Sequence, residues 1–242
     1  MKQAEPVFEL NPRLDAARLA KRYRGDGRIH IPDFLRADCA EAFSQSLRTR
    51  DDWRLVINQA DKTFDLDRAA QAALGKEQRE ALDLAIFAAA RYGFQFQYEA
   101  IRVPDSEVER SRLDDPLARF ASFLSSPEVV ELLRRTTGKP GIDFADAQAT
   151  AYGPGHFLTA HDYEVAGKNR QAAYVFNLTP AWRIDWGGLL LFHGEDGHVD
   201  RAFTPSFNAL NIFAVPQPHS VSMVTPFAAS RRYSVTGWLR GR

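Results

Sequence analysis

Two histidines and one arginine in the second half of the chain have the side-chain chemistry of a site for a metal and a carboxylate. His161 lies in the segment YGPGHFLTAHDYE, His219 lies in VPQPHSV, and Arg232 lies in RRYSVTGWL. Two imidazoles and one carboxylate on one side of a metal leave its other side open, which is the ligand arrangement that non-haem iron enzymes use. A fixed guanidinium can bind the far carboxylate of a cosubstrate such as 2-oxoglutarate through two parallel hydrogen bonds.

Short alternating segments carry these three side chains. From about residue 141 onward, apolar and polar residues alternate over short runs, and clusters of Gly, Pro, Asn and Asp separate the runs. Many short strands at regular spacing are typical of a β-sandwich or β-barrel. The predicted strands lie in IDFADAQATAY, RQAAYVFNL, GGLLLF, FNALNIFAV, HSVSMVT and RRYSVTGWL.

The first 140 residues predict mainly helix. Asn11 and Pro12 are expected to cap and begin the first helix, and Gly75 is expected to interrupt a long helical region. Two strands are predicted here as well: a short one in GRIHIPDFL, and a half-buried one whose apolar face carries Phe94, Phe96 and Tyr98. The predicted helices after the first span 37–49, 66–91 and 117–138. We therefore predict one domain over 1–242, in which 1–140 is mostly helical support and 141–242 is the barrel.

Composition excludes several classes of protein. The 242 residues carry 31 basic and 31 acidic side chains, so no strong overall field attracts nucleic acid or anionic lipid. The single cysteine, Cys39, excludes an internal disulfide and a thiolate metal cluster. The first residues lack the apolar core of a signal peptide, and the apolar segment ALDLAIFAAA is too short to span a bilayer. The sequence predicts a cytoplasmic protein that binds neither nucleic acid nor membrane, and it leaves the oligomeric state open.

The ordered series of C-terminal segments, with DGRIHIPDFL before them, resembles the prolyl 4-hydroxylase-like 2-oxoglutarate/iron(II) dioxygenases. This resemblance implies a mainly β fold, a double-stranded β-helix or jelly roll, braced by N-terminal helices. It also implies an oxidoreductase that uses iron(II) and 2-oxoglutarate, with ascorbate as reductant, to hydroxylate an unactivated C–H bond. The implied substrate is a prolyl residue of a peptide or a small amino-acid-like molecule.

The resemblance also implies roles for individual residues. His161 and His219 match the two iron-binding histidines of the family, and Arg232 matches the arginine that binds the far carboxylate of 2-oxoglutarate. Tyr152 matches a tyrosine that helps to hold the same carboxylate. Strand alternation puts Arg232 on one face with Ser234, Thr236 and Trp238, and Arg231 on the other. Thr236 and Trp238 are therefore expected to line the cosubstrate pocket.

One position departs from the family pattern. The family's carboxylate ligand normally follows the first histidine by two residues, and Tyr163 occupies that position here. Four outcomes are open: Tyr163 binds the metal as a phenolate; Asp162 or Glu164 supplies the oxygen in its place; the two histidines bind metal weakly with water; or the ancestral carboxylate has been lost. The alternative to an active enzyme is therefore a catalytically impaired or non-catalytic ligand-binding descendant.

Overall fold

The computed structural model describes residues 7–59, 62–162 and 169–242. In these ranges thirteen strands join in one antiparallel sheet. The strands are β1 (Arg28–Ile31), β2 (Arg54–Gln59), β3 (Lys62–Leu66), β4 (Phe96–Arg102), β5 (Phe144–Ala145), β6 (Gln148–Tyr152), β7 (Phe157–His161), β8 (Arg170–Asn177), β9 (Leu190–His193), β10 (Val199–Phe203), β11 (Ala209–Ala214), β12 (His219–Val221) and β13 (Arg232–Arg240). The helices are α1 (Ala16–Asp26), α2 (Ala37–Arg48), α3 (Arg68–Ala73), α4 (Lys76–Ala90), α5 (Glu107–Arg110), α6 (Pro116–Leu124) and α7 (Pro127–Thr137).

The sheet curls until its two ends face each other. Its main path runs β1-β11-β8-β13-β6-β4-β7-β12-β9-β10, while β2, β3 and β5 pair outside this path. The terminal strands β1 and β10 meet through side chains: the rings of His30 and Phe203 are 5.7 Å apart, and Arg28 forms an ion pair with Asp200. The result is a nearly closed antiparallel barrel, which confirms the predicted jelly-roll architecture.

Alternation along each strand separates an inner face from an outer face. On β8, Phe176 points outward and packs against Phe34 and Phe120 in the main apolar core beneath the helices. Its neighbours Val175 and Asn177 point into the barrel, where the Asn177 side chain is buried. The helices therefore stabilise the outer face of the sheet, and the inner face is left to carry polar groups.

Two helix predictions were wrong. The first helix begins at Ala16, because Asp15 caps it by accepting hydrogen bonds from the backbone N–H groups of Ala17 and Arg18. The predicted cap, Asn11, instead accepts from the N–H of Arg13 in a local turn. The single helix predicted over 117–138 is two helices, because Pro127 cannot continue a helix and begins α7 instead. The predicted interruption at Gly75 is confirmed, since this residue is the N-cap of α4.

The N-terminal part also supplies barrel wall. Strand β4 lies between β6 and β7, and the hairpin β2–β3, which the sequence did not predict, extends from it. The prediction that β4 exposes its polar face was wrong, because Gln95, Gln97 and Glu99 are all buried. Each of the three has a partner: Gln95 donates to the Asn58 carbonyl (2.8 Å), Gln97 donates to an Asp83 carboxylate oxygen (3.0 Å), and Glu99 pairs with Arg68 (2.7 Å).

Candidate metal and cosubstrate site

The two predicted metal-binding histidines face each other across neighbouring strands. His219 on β12 pairs with His161 on β7, and the centroids of their imidazole rings are 4.2 Å apart. The register shifts beside this pair: Val221 pairs with Leu158, so three steps on β7 match two on β12. Such a bulge turns His161 to the same face as Leu158, which is the inner face of the barrel.

Both imidazoles are oriented through the backbone. Nδ1 of His161 donates to the Thr159 carbonyl (2.8 Å), and Nδ1 of His219 donates to the Gln217 carbonyl (2.7 Å). These bonds select the tautomer in which Nε2 carries the lone pair, the form that binds a metal. Burial lowers the pKa of His161, and burial together with the nearby His161 lowers the pKa of His219 to about 3. Two neutral, pre-oriented imidazoles fit the nitrogen ligands that iron(II) accepts.

The third ligand lies beyond what the structure describes. Tyr163 and Glu164 fall in the segment 163–168, outside the described residues. Asp162 is exposed, and across the described ranges no three His, Cys, Asp or Glu side chains form a group that could hold a metal ion. Tyr163, with Asp162 as its substitute, therefore stays a prediction.

Arg232 is a buried cation inside the barrel. Arg232 is the first residue of β13 and is 2% exposed. Its side chain lies over the ring of Tyr152, with Cζ 5.2 Å from the ring centroid. Within the described part of the chain, Nε and Nη1 are buried and have no hydrogen-bond partner. Burial lowers the pKa of Arg232, which reflects the cost of holding this charge away from water. Two unsatisfied N–H donors on a buried guanidinium fit the carboxylate of a bound ligand.

A glycine makes room for this guanidinium. Gly188 has a backbone φ of +62°, which a residue with a side chain rarely adopts. A Cβ atom at this position would lie 3.2 Å from Cζ2 of Trp182 and 3.5 Å from Cδ of Arg232. The absence of a side chain at 188 therefore lets the loop before β9 close against the arginine stem.

A row of aromatic rings joins the histidine pair to the arginine. Phe94 lies 5.5 Å from the His161 ring, Phe96 is 5.6 Å from Phe94, and Tyr98 is 5.4 Å from Phe96. Tyr98 then stacks on Tyr152 at 5.2 Å, and the Arg232 guanidinium packs on the other ring, that of Tyr152. The alternation of Phe94, Phe96 and Tyr98 predicted a strand but not this wall. Only the pairing of β4 with β6 and β7 brings the strand beside the site.

The other two predicted pocket residues lie further along β13. Thr236 and Trp238 share the inner face with Arg232, since they pair with the inward-facing Val175 and Ala173. Trp238 is six residues beyond Arg232, about 20 Å along an extended strand. Its ring packs on the cluster of Phe192 and Phe213, and Phe213 lies 4.7 Å from the His219 ring. The structure thus brings Tyr152 next to Arg232, whereas Trp238 lies with the aromatic residues around His219.

Comparison with known proteins supports the same chemistry. Residues 147–240 match the family model of the 2OG-Fe(II) oxygenase superfamily. Prolyl 3-hydroxylase OGFOD1 of Mus musculus is 32% identical over 129 residues, which cover 50% of this chain and 22% of that protein. The chain therefore spans about a fifth of the length of this curated relative.

Solved structures show the same fold. A prolyl-4-hydroxylase of Pseudomonas putida superposes with a TM-score of 0.61 at 20% identity, covering 94% of this chain and 100% of that one. A prolyl hydroxylase of Trichoplax adhaerens, solved with a peptide fragment of the hypoxia inducible factor oxygen degradation domain, gives a TM-score of 0.60 at 17% identity, covering 93% and 89%. Together with the family match, these similarities confirm the resemblance drawn from the sequence. Among the described helices, none combines the length and hydrophobicity that crossing a bilayer requires.

Proposed function

Because residues 147–240 match the family model of the 2OG-Fe(II) oxygenase superfamily, we propose that the protein is a 2-oxoglutarate- and iron(II)-dependent dioxygenase that hydroxylates a prolyl residue of a peptide. The observation that carries the proposal is Arg232, a buried guanidinium whose Nε and Nη1 have no partner within the described residues. Holding such a charge away from water costs stability, and a bound anion would offset that cost. A small dicarboxylate bound inside the barrel would do so.

The site has a metal-binding end with two histidines and a carboxylate-binding end with Arg232. Nε2 of His161 and of His219 would hold the iron, because each Nδ1 is already engaged by a backbone carbonyl. Arg232 would donate Nε–H and Nη1–H to the far carboxylate of 2-oxoglutarate, and Tyr152 would keep the guanidinium in place from below. Bound iron(II) and 2-oxoglutarate supply the oxidation by dioxygen, in which one oxygen atom enters the C–H bond and the other enters succinate as carbon dioxide is released. The buried ring of Phe96 and the partly buried ring of Tyr98, 5.4 Å apart, would help to exclude water from this chemistry.

The peptidyl substrate is proposed from the relatives. Two of the similar proteins are described as prolyl hydroxylases that act at C3 or C4, and the Trichoplax adhaerens enzyme was solved with a peptide. Ascorbate is proposed as the reductant that keeps the iron in the ferrous state. A reducing, cytoplasmic location suits the free and buried thiol of Cys39. We further propose that 1–242 acts as one unit, because β1 and β4 belong to the same sheet as the C-terminal strands.

The test is turnover of 2-oxoglutarate by the purified protein. Incubation with iron(II), ascorbate, 2-oxoglutarate and a set of proline-containing peptides should give succinate and oxygen uptake, and hydroxyproline in the peptide that serves as substrate. Absence of succinate under all these conditions would contradict the proposal. If Tyr163→Asp then restores turnover, the protein is a descendant whose metal site has lost its carboxylate.

A further inference from the structure

A buried carboxylate lies on the outer face of the sheet, opposite the inner face that carries Arg232. Glu99 on β4 is 2% exposed, yet it pairs with two half-exposed arginines, Arg68 at 2.7 Å and Arg231. Arg231 immediately precedes Arg232, and its Cγ and Nε lie 3.8 Å from where a Cβ of Gly153 would be. The Arg231 side chain therefore runs across Gly153 to reach Glu99.

At the level of Arg232, contacts on the inner and the outer face of the sheet come from neighbouring residues on the same three strands, β4, β6 and β13. On the inner face, Tyr98 stacks on Tyr152, which carries Arg232. The adjacent residue along the chain from each of these three faces outward: Glu99 follows Tyr98, Ala151 precedes Tyr152, and Arg231 precedes Arg232. In the register of the sheet, Glu99 pairs with Ala151, and Ala151 pairs with Tyr233. Ala151, which lies between them on β6, is small and fully buried. Three neighbouring strands are thus held together from both sides at the level of Arg232.

We propose that Glu99 is a positioning residue for Arg232, and that through its ion pair with Arg231 it fixes the start of β13 so that the Arg232 guanidinium meets the far carboxylate of 2-oxoglutarate. This inference rests on the proposed function. Arg232 needs such support from outside, because within the described residues no carboxylate pairs with it and its inner contact is the ring of Tyr152. A carboxylate of the protein paired with Arg232 inside the barrel would compete with the cosubstrate for the guanidinium.

Positioning and simple electrostatics predict opposite results for the loss of Glu99. Removing a negative charge near Arg232 would, through Coulomb attraction alone, tighten the binding of an anion. Releasing Arg231 and the start of β13 would instead weaken it, since two parallel hydrogen bonds depend on alignment. The sign of the change in affinity therefore distinguishes the two effects.

The experiment compares two ligands in the manganese(II)-loaded protein by isothermal titration calorimetry. 2-Oxoglutarate reaches both the metal and Arg232, whereas oxalate binds the metal but is too short to reach the arginine. Glu99→Gln and Arg231→Gln should each raise the Kd of 2-oxoglutarate on the order of tenfold and leave the Kd of oxalate unchanged. The double variant should weaken 2-oxoglutarate binding no more than either single change, because both remove the same ion pair.

Asp65→Asn is the matched control, because it removes another ion pair to β4, with Arg102 at 2.6 Å, that does not involve Arg231. It should leave both Kd values unchanged. If Glu99→Gln does not fold, Arg231→Gln decides, since it leaves Glu99 paired with Arg68. Unchanged or tighter 2-oxoglutarate binding in the variants, or equal weakening of both ligands, overturns the inference alone. Failure of the unaltered protein to bind 2-oxoglutarate overturns the proposed function with it.

Discussion

Replacing Arg232 by methionine should make the ligand-free protein more stable while it abolishes binding of 2-oxoglutarate. The side chain is buried, and its Nε–H and Nη1–H are unsatisfied within the described residues. Each unsatisfied buried donor costs about 1–3 kcal/mol. The lost contact between the cation and the Tyr152 ring subtracts about 1–2 kcal/mol from the gain. Methionine fills a similar length with apolar atoms, so the net gain in the free energy of unfolding is about 2.5 kcal/mol at the middle of these ranges.

Differential scanning calorimetry at a fixed manganese(II) concentration measures both effects. For a chain of this size the gain corresponds to a rise in Tm of roughly 5–10 °C without 2-oxoglutarate. Addition of 2-oxoglutarate at a hundred times its Kd should then stabilise the unaltered protein by about 2.7 kcal/mol and leave Arg232→Met unchanged. The neighbouring Arg231→Met is the control, and it should lower stability because it breaks the ion pair with the buried Glu99.

Two results would contradict this role of Arg232. A ligand-free Arg232→Met protein that is less stable than the unaltered one would mean that the guanidinium is satisfied in the fold and is not held ready for a ligand. A variant that 2-oxoglutarate still stabilises to the same extent would mean that the cosubstrate does not use Arg232.

Three further outcomes are expected. His219→Ala should abolish the thermal stabilisation by manganese(II), because it removes a proposed metal ligand, whereas His198→Ala in the exposed β9–β10 turn should retain it. Equal metal responses would contradict the assignment. Gly188→Ala and Gly197→Ala should each lose about 1–2 kcal/mol of stability, because both glycines have positive φ. Only the Gly188 change should also weaken 2-oxoglutarate binding in calorimetric titrations, since a Cβ there lies 3.2 Å from Trp182 and Val224, which pack beside Arg232, whereas one at Gly197 meets nothing within 4 Å. Tyr163→Phe should weaken manganese(II) binding if the phenolate is a ligand, and unchanged affinity would exclude that role.

The C-terminal strands could be predicted from the sequence because their alternation and turn residues are local signals. Arg232 on the inner face followed from the same period of two, and the pairing of Ser234 with Asn177 and of Thr236 with Val175 agrees with it. Helix α2 could likewise be predicted, since its buried residues Cys39, Ala40, Phe43 and Leu47 recur at helical spacing.

The remaining features depend on contacts between distant segments. The polar face of β4 is buried because Asn58, Asp83 and Arg68 come from elsewhere to satisfy it, which no local pattern reveals. The bulge in β7 changes which residues face inward between Leu158 and His161. A simple alternation therefore cannot be carried through β7 from Leu158 to His161, and the third metal ligand, expected at Tyr163 from its spacing to His161, stays a prediction.

We propose that two imidazoles and one guanidinium hold a metal and a dicarboxylate in a single cavity. A crystal structure of the protein with manganese(II) and 2-oxoglutarate under anaerobic conditions, with the metal located by anomalous scattering, would show whether they do. We expect a metal bound by Nε2 of His161 and of His219 and chelated by 2-oxoglutarate, whose far carboxylate lies on Nε and Nη1 of Arg232. A metal bound elsewhere, or 2-oxoglutarate bound without contact to Arg232, would contradict the proposal.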